Sequence, residues 1–168
     1  MLGVMTPLRL NLGCWVFRFD TPEHIRDGWV NIDLNPRYPA DILADVCTLP
    51  YPDESVDEIY AGHVLEHIPQ NGMALPEWNR VLKTGGFVTI VVPELARCIR
   101  AHREGYITRQ FLNMAILGGA DDGDALQMHH RVYTDDILRQ EMMDCGFRVE
   151  WMPDDPNIRW QVMVRGYK

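Results

Sequence analysis

Lysine is nearly missing. Lys83 and Lys168 stand alone among 16 basic side chains, set against 24 acidic ones in 168 residues. The formal charge of −8 lacks the basic footprint that nucleic-acid phosphates demand, so no nucleic-acid partner is expected. The remaining cations are arginines scattered along the chain, which fits genome composition better than one anion site. No apolar run approaches the roughly 20 residues of a membrane-spanning helix, so no membrane contact is expected. No charged segment followed by an apolar stretch opens the chain, so a signal peptide is not expected either. Cysteine is sparse. Cys14, Cys47, Cys98 and Cys145 are far apart and form no CxxC pair. That spacing argues against a disulfide framework or zinc knuckle and for a reducing, cytoplasmic setting. Repeats, low-complexity tracts and linkers are also lacking. The 46% apolar content is that of an ordinary globular chain, and residues 1–168 read as a single domain.

Short strand-like runs alternate with helix-like runs, which predicts an α/β fold with a mostly parallel sheet and helices on its faces. Strands are expected at Leu8–Leu12, Trp29–Leu34, Ile42–Val46 and Glu58–Ala61. Phe87–Val92 is an uninterrupted apolar run, as a central strand buried on both faces requires. Ala74, Leu75, Trp78, Val81 and Leu82 recur at helical spacing, and Gly85-Gly86 is expected to end that helix. Leu95, Cys98, Ile99 and His102 share a second helical face that Gly105 can stop. Thr108 and Thr134 are candidate N-caps of two further helices, and Gly146 can end the last of them. Ile158, Trp160, Val162 and Val164 alternate with Arg159, Gln161, Met163 and Arg165. Together with Val149 and Trp151, and a turn over Pro153–Pro156, they predict a terminal antiparallel hairpin.

Four segments carry a resemblance. They are Leu10-Asn11-Leu12-Gly13-Cys14, Gly28-Trp29-Val30-Asn31-Ile32-Asp33, the stretch from Ala44-Asp45-Val46 to His63-Val64-Leu65-Glu66-His67, and Glu77 to Phe87 with Lys83-Thr84-Gly85-Gly86. In order and spacing they resemble the class I methyltransferases that use S-adenosylmethionine, in particular the small single-domain ones. The resemblance implies a Rossmann-like three-layer sandwich with a seven-stranded sheet and a methyl transfer to a small-molecule or sugar-containing acceptor. It implies S-adenosyl-L-methionine as cofactor, with S-adenosyl-L-homocysteine as product. Ligands of open α/β sheets sit beyond the carboxyl ends of the strands. There, Asn11, Gly13 and Cys14 would form the first turn and Asp33 would accept the ribose hydroxyls. Asp45 would accept from the adenine amino group, with the Val46 backbone at the ring edge. Gly62 and His63 would line the methionine half. One departure stands out: the family's loop reads Gly-x-Gly, and Trp15 occupies the position of the second glycine. An indole there would block the cofactor, stack on it or point outward. Only fifteen residues separate Gly13 from Trp29, which leaves no room for a full helix.

Methyl transfer needs a base only where the nucleophile must lose a proton. His63 and His67 are the candidate catalytic residues, with His129-His130 on a loop that can cover the site, and Tyr106 and Tyr133 as weaker candidates. Residues 94–131 are expected to form helices over the pocket that supply acceptor contacts. Two other readings were weighed. One is a degenerate methyltransferase-fold scaffold, favoured by Trp15. The other is a zinc peptidase, because His63-x-x-Glu66-His67 also matches H-x-x-E-H. That motif needs a long helix and a third ligand, whereas a strand and Gly62 precede it and Pro69 follows. No metal is therefore expected there, and the acidic cluster Asp121-Asp122-Gly123-Asp124 lacks the spacing of a calcium loop. A homodimer is possible through the terminal strand.

Overall fold

The computed structural model describes residues 6–14, 29–38, 40–69, 73–119, 125–153 and 158–168. Trp15 and the stretch between it and Trp29 lie outside them, as do Asp121 to Asp124 and most of the Pro153–Pro156 turn.

The described residues build seven strands: β1 (Arg9–Leu12), β2 (Trp29–Asp33), β3 (Ile42–Leu43), β4 (Val56–Gly62), β5 (Leu82–Pro93), β6 (Arg148–Trp151) and β7 (Gln161–Tyr167). They form one sheet in the order β3-β2-β1-β4-β5-β7-β6. The first five pair in parallel, whereas β7 runs antiparallel between β5 and β6. The α/β fold class and the terminal hairpin are thus as the alternation of the sequence predicts. Leu10, Leu12, Ile32, Ile59, Ala61, Val88, Ile90 and Val92 are buried, which is why these apolar runs become strands.

Four helices accompany the sheet: α1 (Ala74–Val81), α2 (Leu95–Arg103), α3 (Arg109–Leu117) and α4 (Asp135–Asp144). Helix α1 buries Ala74, Leu75, Trp78 and Val81, and the Trp78 indole N–H donates to the Val46 carbonyl at 3.0 Å. Thr108 and Thr134 cap α3 and α4 as expected, each accepting from the backbone N–H three residues on. Glu94 caps α2 with both carboxylate oxygens, on the N–H groups of Ala96 and Arg97.

Four expectations need correction. Helix α1 ends at Val81, not at Gly85-Gly86, because Leu82 already has extended backbone. The two glycines instead make a bulge in β5, where Val56 pairs with Leu82 but Glu58 pairs with Phe87. Gly85 has φ +84°, and a Cβ on Gly86 would lie 2.9 Å from the Asp57 carbonyl oxygen. The third strand stops at Leu43 rather than Val46, since the Asp45 carboxylate turns back to accept from the Cys47 N–H at 2.8 Å. On α2 the buried face is Cys98 and Ala101, and Ile99 is exposed. The last strand starts at Gln161, and its buried side is Val162, Val164 and Gly166.

Candidate active site

Strand order reverses beside β1, whose neighbours are β2 and β4. That is the topological switch point, where a crevice opens beyond the strand ends. Register fixes what faces it. Leu12 pairs with Ile32 on one side and with Ala61 on the other. The next residues along the three segments are Gly13, Asp33 and Gly62.

Gly13 turns the chain with φ +59°, and a Cβ there would sit 2.4 Å from Cγ2 of Val64. Both the left-handed backbone and the close approach call for glycine. Cys14 is buried, and its N–H donates to the Ile32 carbonyl at 3.2 Å, closing the turn onto β2. Asp33 is 8% exposed. One of its carboxylate oxygens accepts from the Asn35 N–H at 2.9 Å, which orients the carboxylate at the mouth of the crevice. Asn11 is buried, and its amide donates to Asn31 Oδ1 at 2.9 Å. Asn31 donates in turn to Asp41 from both its backbone and its side chain, each at 2.8 Å. Asn11 therefore ties β1 to β2 beneath the crevice. Asp41, which holds this chain of bonds, is not singled out by any motif. Asp45 is exposed beyond β3. The Val46 carbonyl is taken by Trp78, which leaves the Val46 backbone held in place at that rim.

His63 is the second unusual turn. Its φ is +57°, a region costly for a residue with a side chain and one that clusters at functional sites. The surroundings over-determine it. Its N–H donates to the Val91 carbonyl at 2.8 Å. Its Nδ1 lies 3.2 Å from Glu66 Oε1, and its Nε2 lies 3.0 Å from Gln161 Oε1. The ring stacks on Trp160 at 5.2 Å. Both ring nitrogens thus lie within hydrogen-bond distance of a side-chain oxygen. Both nitrogens are engaged, so His63 is built to line and orient the site. Trp160 and Gln161 escape sequence inspection as its partners, because only the terminal hairpin brings them to it.

Leu65–His67 forms a single 3-10 turn. The long helix that the H-x-x-E-H peptidase signature requires is not there, and that reading falls. His67 instead bonds the Met128 carbonyl through Nδ1 at 3.2 Å and meets the His129 ring edge-on at 4.6 Å. Burial pushes the His129 imidazole below its usual range, against the pull of the Glu66 carboxylate. His130 is exposed, and its N–H donates to the Glu66 carbonyl at 2.8 Å. Tyr133 is buried, and burial drives its phenol far above the usual range. Its hydroxyl meets Glu141 and Arg131. Tyr106 is exposed beneath the Arg159 guanidinium, 4.0 Å from the ring centre.

Next to His63 opens a cleft of about 340 Å³ lined by Tyr106, Ile107, Thr108, Phe111, Arg159 and Trp160. Trp160 forms a wall shared with His63, and Phe111 meets its edge at 4.9 Å. Of residues 94–131, the described ones include α2 and α3, and Tyr106, Ile107, Thr108 and Phe111 among them line this cleft.

Solved structures share this fold. An S-adenosylmethionine-dependent methyltransferase from Mesorhizobium loti aligns with a TM-score of 0.67 over 97% of this chain and 91% of its own, at 16% identity. This is the class I methyltransferase fold. The 1,6-didemethyltoxoflavin-N1-methyltransferase of Burkholderia thailandensis, solved with 1,6-didemethyltoxoflavin and S-adenosylhomocysteine bound, aligns with a TM-score of 0.61 over 96% of this chain and 71% of its own, at 17% identity. Residues 20–90 match the family model described as a methyltransferase domain. The chain is 32% identical over 111 residues to the ubiquinone/menaquinone biosynthesis C-methyltransferase UbiE of Neisseria meningitidis. That stretch covers 62% of this chain and 44% of the relative, so the chain spans less than half the length of the curated relatives it matches. Among the described residues, no helix of this methyltransferase-fold chain is long and apolar enough to cross a membrane.

Proposed function

We propose that this chain is a methyltransferase that takes the methyl group of S-adenosylmethionine to a small acceptor with a flat ring. One observation carries the reading: Gly13, Asp33 and Gly62 each directly follow residues that pair across β2, β1 and β4 at the switch point, next to the left-handed His63. The residues fit the cofactor. A turn without a Cβ lets backbone approach a ligand, and a carboxylate at the end of β2 suits the two hydroxyls of a ribose. Asp45 and the Val46 backbone stand at the rim where the adenine would lie. When bound, S-adenosylmethionine supplies an already activated methyl group on its sulfonium. What remains for the protein is alignment and exclusion of water. His63 would border the methionine half and pass its orientation to the acceptor cleft through Trp160.

The cleft supports an acceptor with an aromatic or otherwise planar face. Phe111 and Trp160 offer ring surface, and the Arg159 guanidinium lying over the Tyr106 ring adds positive charge to the cleft wall. Its volume lies in the range of small-molecule sites. The curated relatives are named for carbon methylation in quinone biosynthesis, and ring acceptors of that general kind fit these walls. Calorimetry with S-adenosylhomocysteine tests the cofactor half. Saturable binding at one site is expected. No heat at millimolar ligand would leave only a scaffold that keeps the fold.

A further inference from the structure

We propose that Glu66, His67 and His129 form a binding site for one divalent transition-metal ion of the zinc class. Two neutral imidazoles and one carboxylate are the donor set of open zinc sites, with a fourth position left for water or a ligand oxygen. Their donor atoms lie within 4.8 Å of one another. A tetrahedral ion with bonds of about 2.0–2.1 Å needs donors about 3.4 Å apart, so side-chain rotation closes the site around the ion.

The independent sign is Glu66 itself. It is 1% exposed, and among the described residues its Oε2 has no hydrogen-bond partner. Burying an unsatisfied oxygen costs about 1–3 kcal/mol, and more when it is charged. The other oxygen is spent on His63. Arg131, which also lines the small cavity of Glu66 and His129, donates from Nη1 to Glu141 at 2.7 Å and to the Tyr133 hydroxyl at 3.3 Å. Glu66 Oε2 is thus buried with nothing to accept.

The two imidazoles are prepared for the same task. His67 faces the Met128 carbonyl with Nδ1, so that nitrogen carries the proton and Nε2 keeps its lone pair. His129 is likewise held by the Ile116 carbonyl. A ligand histidine that donates its second N–H to a carbonyl is the usual outer arrangement of zinc sites. Backbone bonds from His130 and Arg131 to the Glu66 carbonyl hold the two segments together. The site is not the H-x-x-E-H signature: His63 is bonded elsewhere, and the third ligand comes from the segment after α3. An ion here would clamp that segment over the turn that carries His63.

The test uses the full chain, stripped with chelator and free of cofactor. Zinc is titrated by calorimetry and cobalt by visible absorption. One equivalent of zinc is expected, with cobalt bands of a four- or five-coordinate site. Losing an outer partner of a ligand already costs about 10–100-fold in affinity. His67→Ala and His129→Ala, both at partly exposed positions, should therefore weaken binding by about 100-fold or more. Glu66→Gln, which keeps the shape of the buried side chain, should do the same with an unchanged circular dichroism spectrum. Absence of saturable binding, or variants that bind like the parent, would overturn the site. Because no cofactor is present, failure here leaves the homocysteine titration untouched, and the reverse holds.

Discussion

Replacing Gly13 by alanine probes the turn on which the cofactor reading rests. Two costs can be separated. The left-handed backbone at φ +59° costs an L-residue about 1–2 kcal/mol. The new methyl would lie 2.4 Å from Val64 Cγ2, and such overpacking costs about 1–3 kcal/mol. Gly13→Ala should therefore lower folding stability by about 2–5 kcal/mol, measured by urea denaturation. Val64→Ala alone falls between the Ile→Val and Leu→Ala ranges, at about 1–3 kcal/mol. The double variant should be less damaged than the sum of the two by about 1–3 kcal/mol, because the clash is gone while the backbone cost stays. A loss below about 0.5 kcal/mol for Gly13→Ala, or strict additivity of the pair, would refute the close approach of this turn to β4.

Asp33→Asn keeps an oxygen for the Asn35 N–H but removes the charge. It should weaken S-adenosylhomocysteine by about 1–3 kcal/mol, or roughly 5- to 150-fold, in calorimetry. Glu77 accepts from Arg80 through both oxygens and from the Leu49 N–H at 2.7 Å. The Arg80 bonds hold its carboxyl below the usual range against the opposing effect of burial. Its contribution is therefore present above the usual carboxylate range and is lost as the pH falls through its lowered value. Glu77→Gln should cost about 1.5–3 kcal/mol at neutral pH, and the gap to the parent in urea melts should close below about pH 4. Burial, with the Glu94 charge adding to it, pushes the Cys98 thiol up to about 11. The unfolded thiol releases its proton near 9, so this group's stabilisation is complete below that and declines as pH rises toward 11. Cys98→Ala should flatten that part of the stability profile, and an unchanged slope would contradict the burial.

The strand ends were legible because each is an apolar run with a chemical stop. Leu12 runs into Gly13, Ile32 into Asp33 and Ala61 into Gly62, and parallel register places Leu12, Ile32 and Ala61, the residues just before the three stops, opposite one another. The glycine pair before β5 was not legible. Gly85 has the left-handed backbone of a helix cap, but distant pairing decides its use: its N–H donates to the Lys168 carbonyl and the Lys168 N–H to the Gly86 carbonyl. The partners of His63 were hidden for the same reason. Period two marks a strand from Trp160 to Val164, but only the insertion of β7 beside β5 carries Gln161 to the imidazole. His129 reads as part of a covering loop, and its approach to His67 depends on the bonds from His130 and Arg131 back to Glu66.

These contacts concentrate on one stretch, the turn that leaves β4. Val64 fills the space over Gly13, His63 joins Gln161 and Trp160, and Glu66 receives the segment after α3. The proposed cofactor turn, acceptor wall and ion site are therefore mechanically adjacent. A shift of the turn acts first on the residues it touches, because a packed interior passes displacements on through direct contacts. Zinc should then alter acceptor access more than cofactor affinity, since the ion pulls on Glu66 and the segment after α3 while Gly13 and Asp33 stay anchored to β1 and β2. Titrating S-adenosylhomocysteine with and without zinc checks this. A change in its affinity greater than about tenfold, or 1.4 kcal/mol, would show that the ion reaches the first turn and that the two halves of the site are not independent.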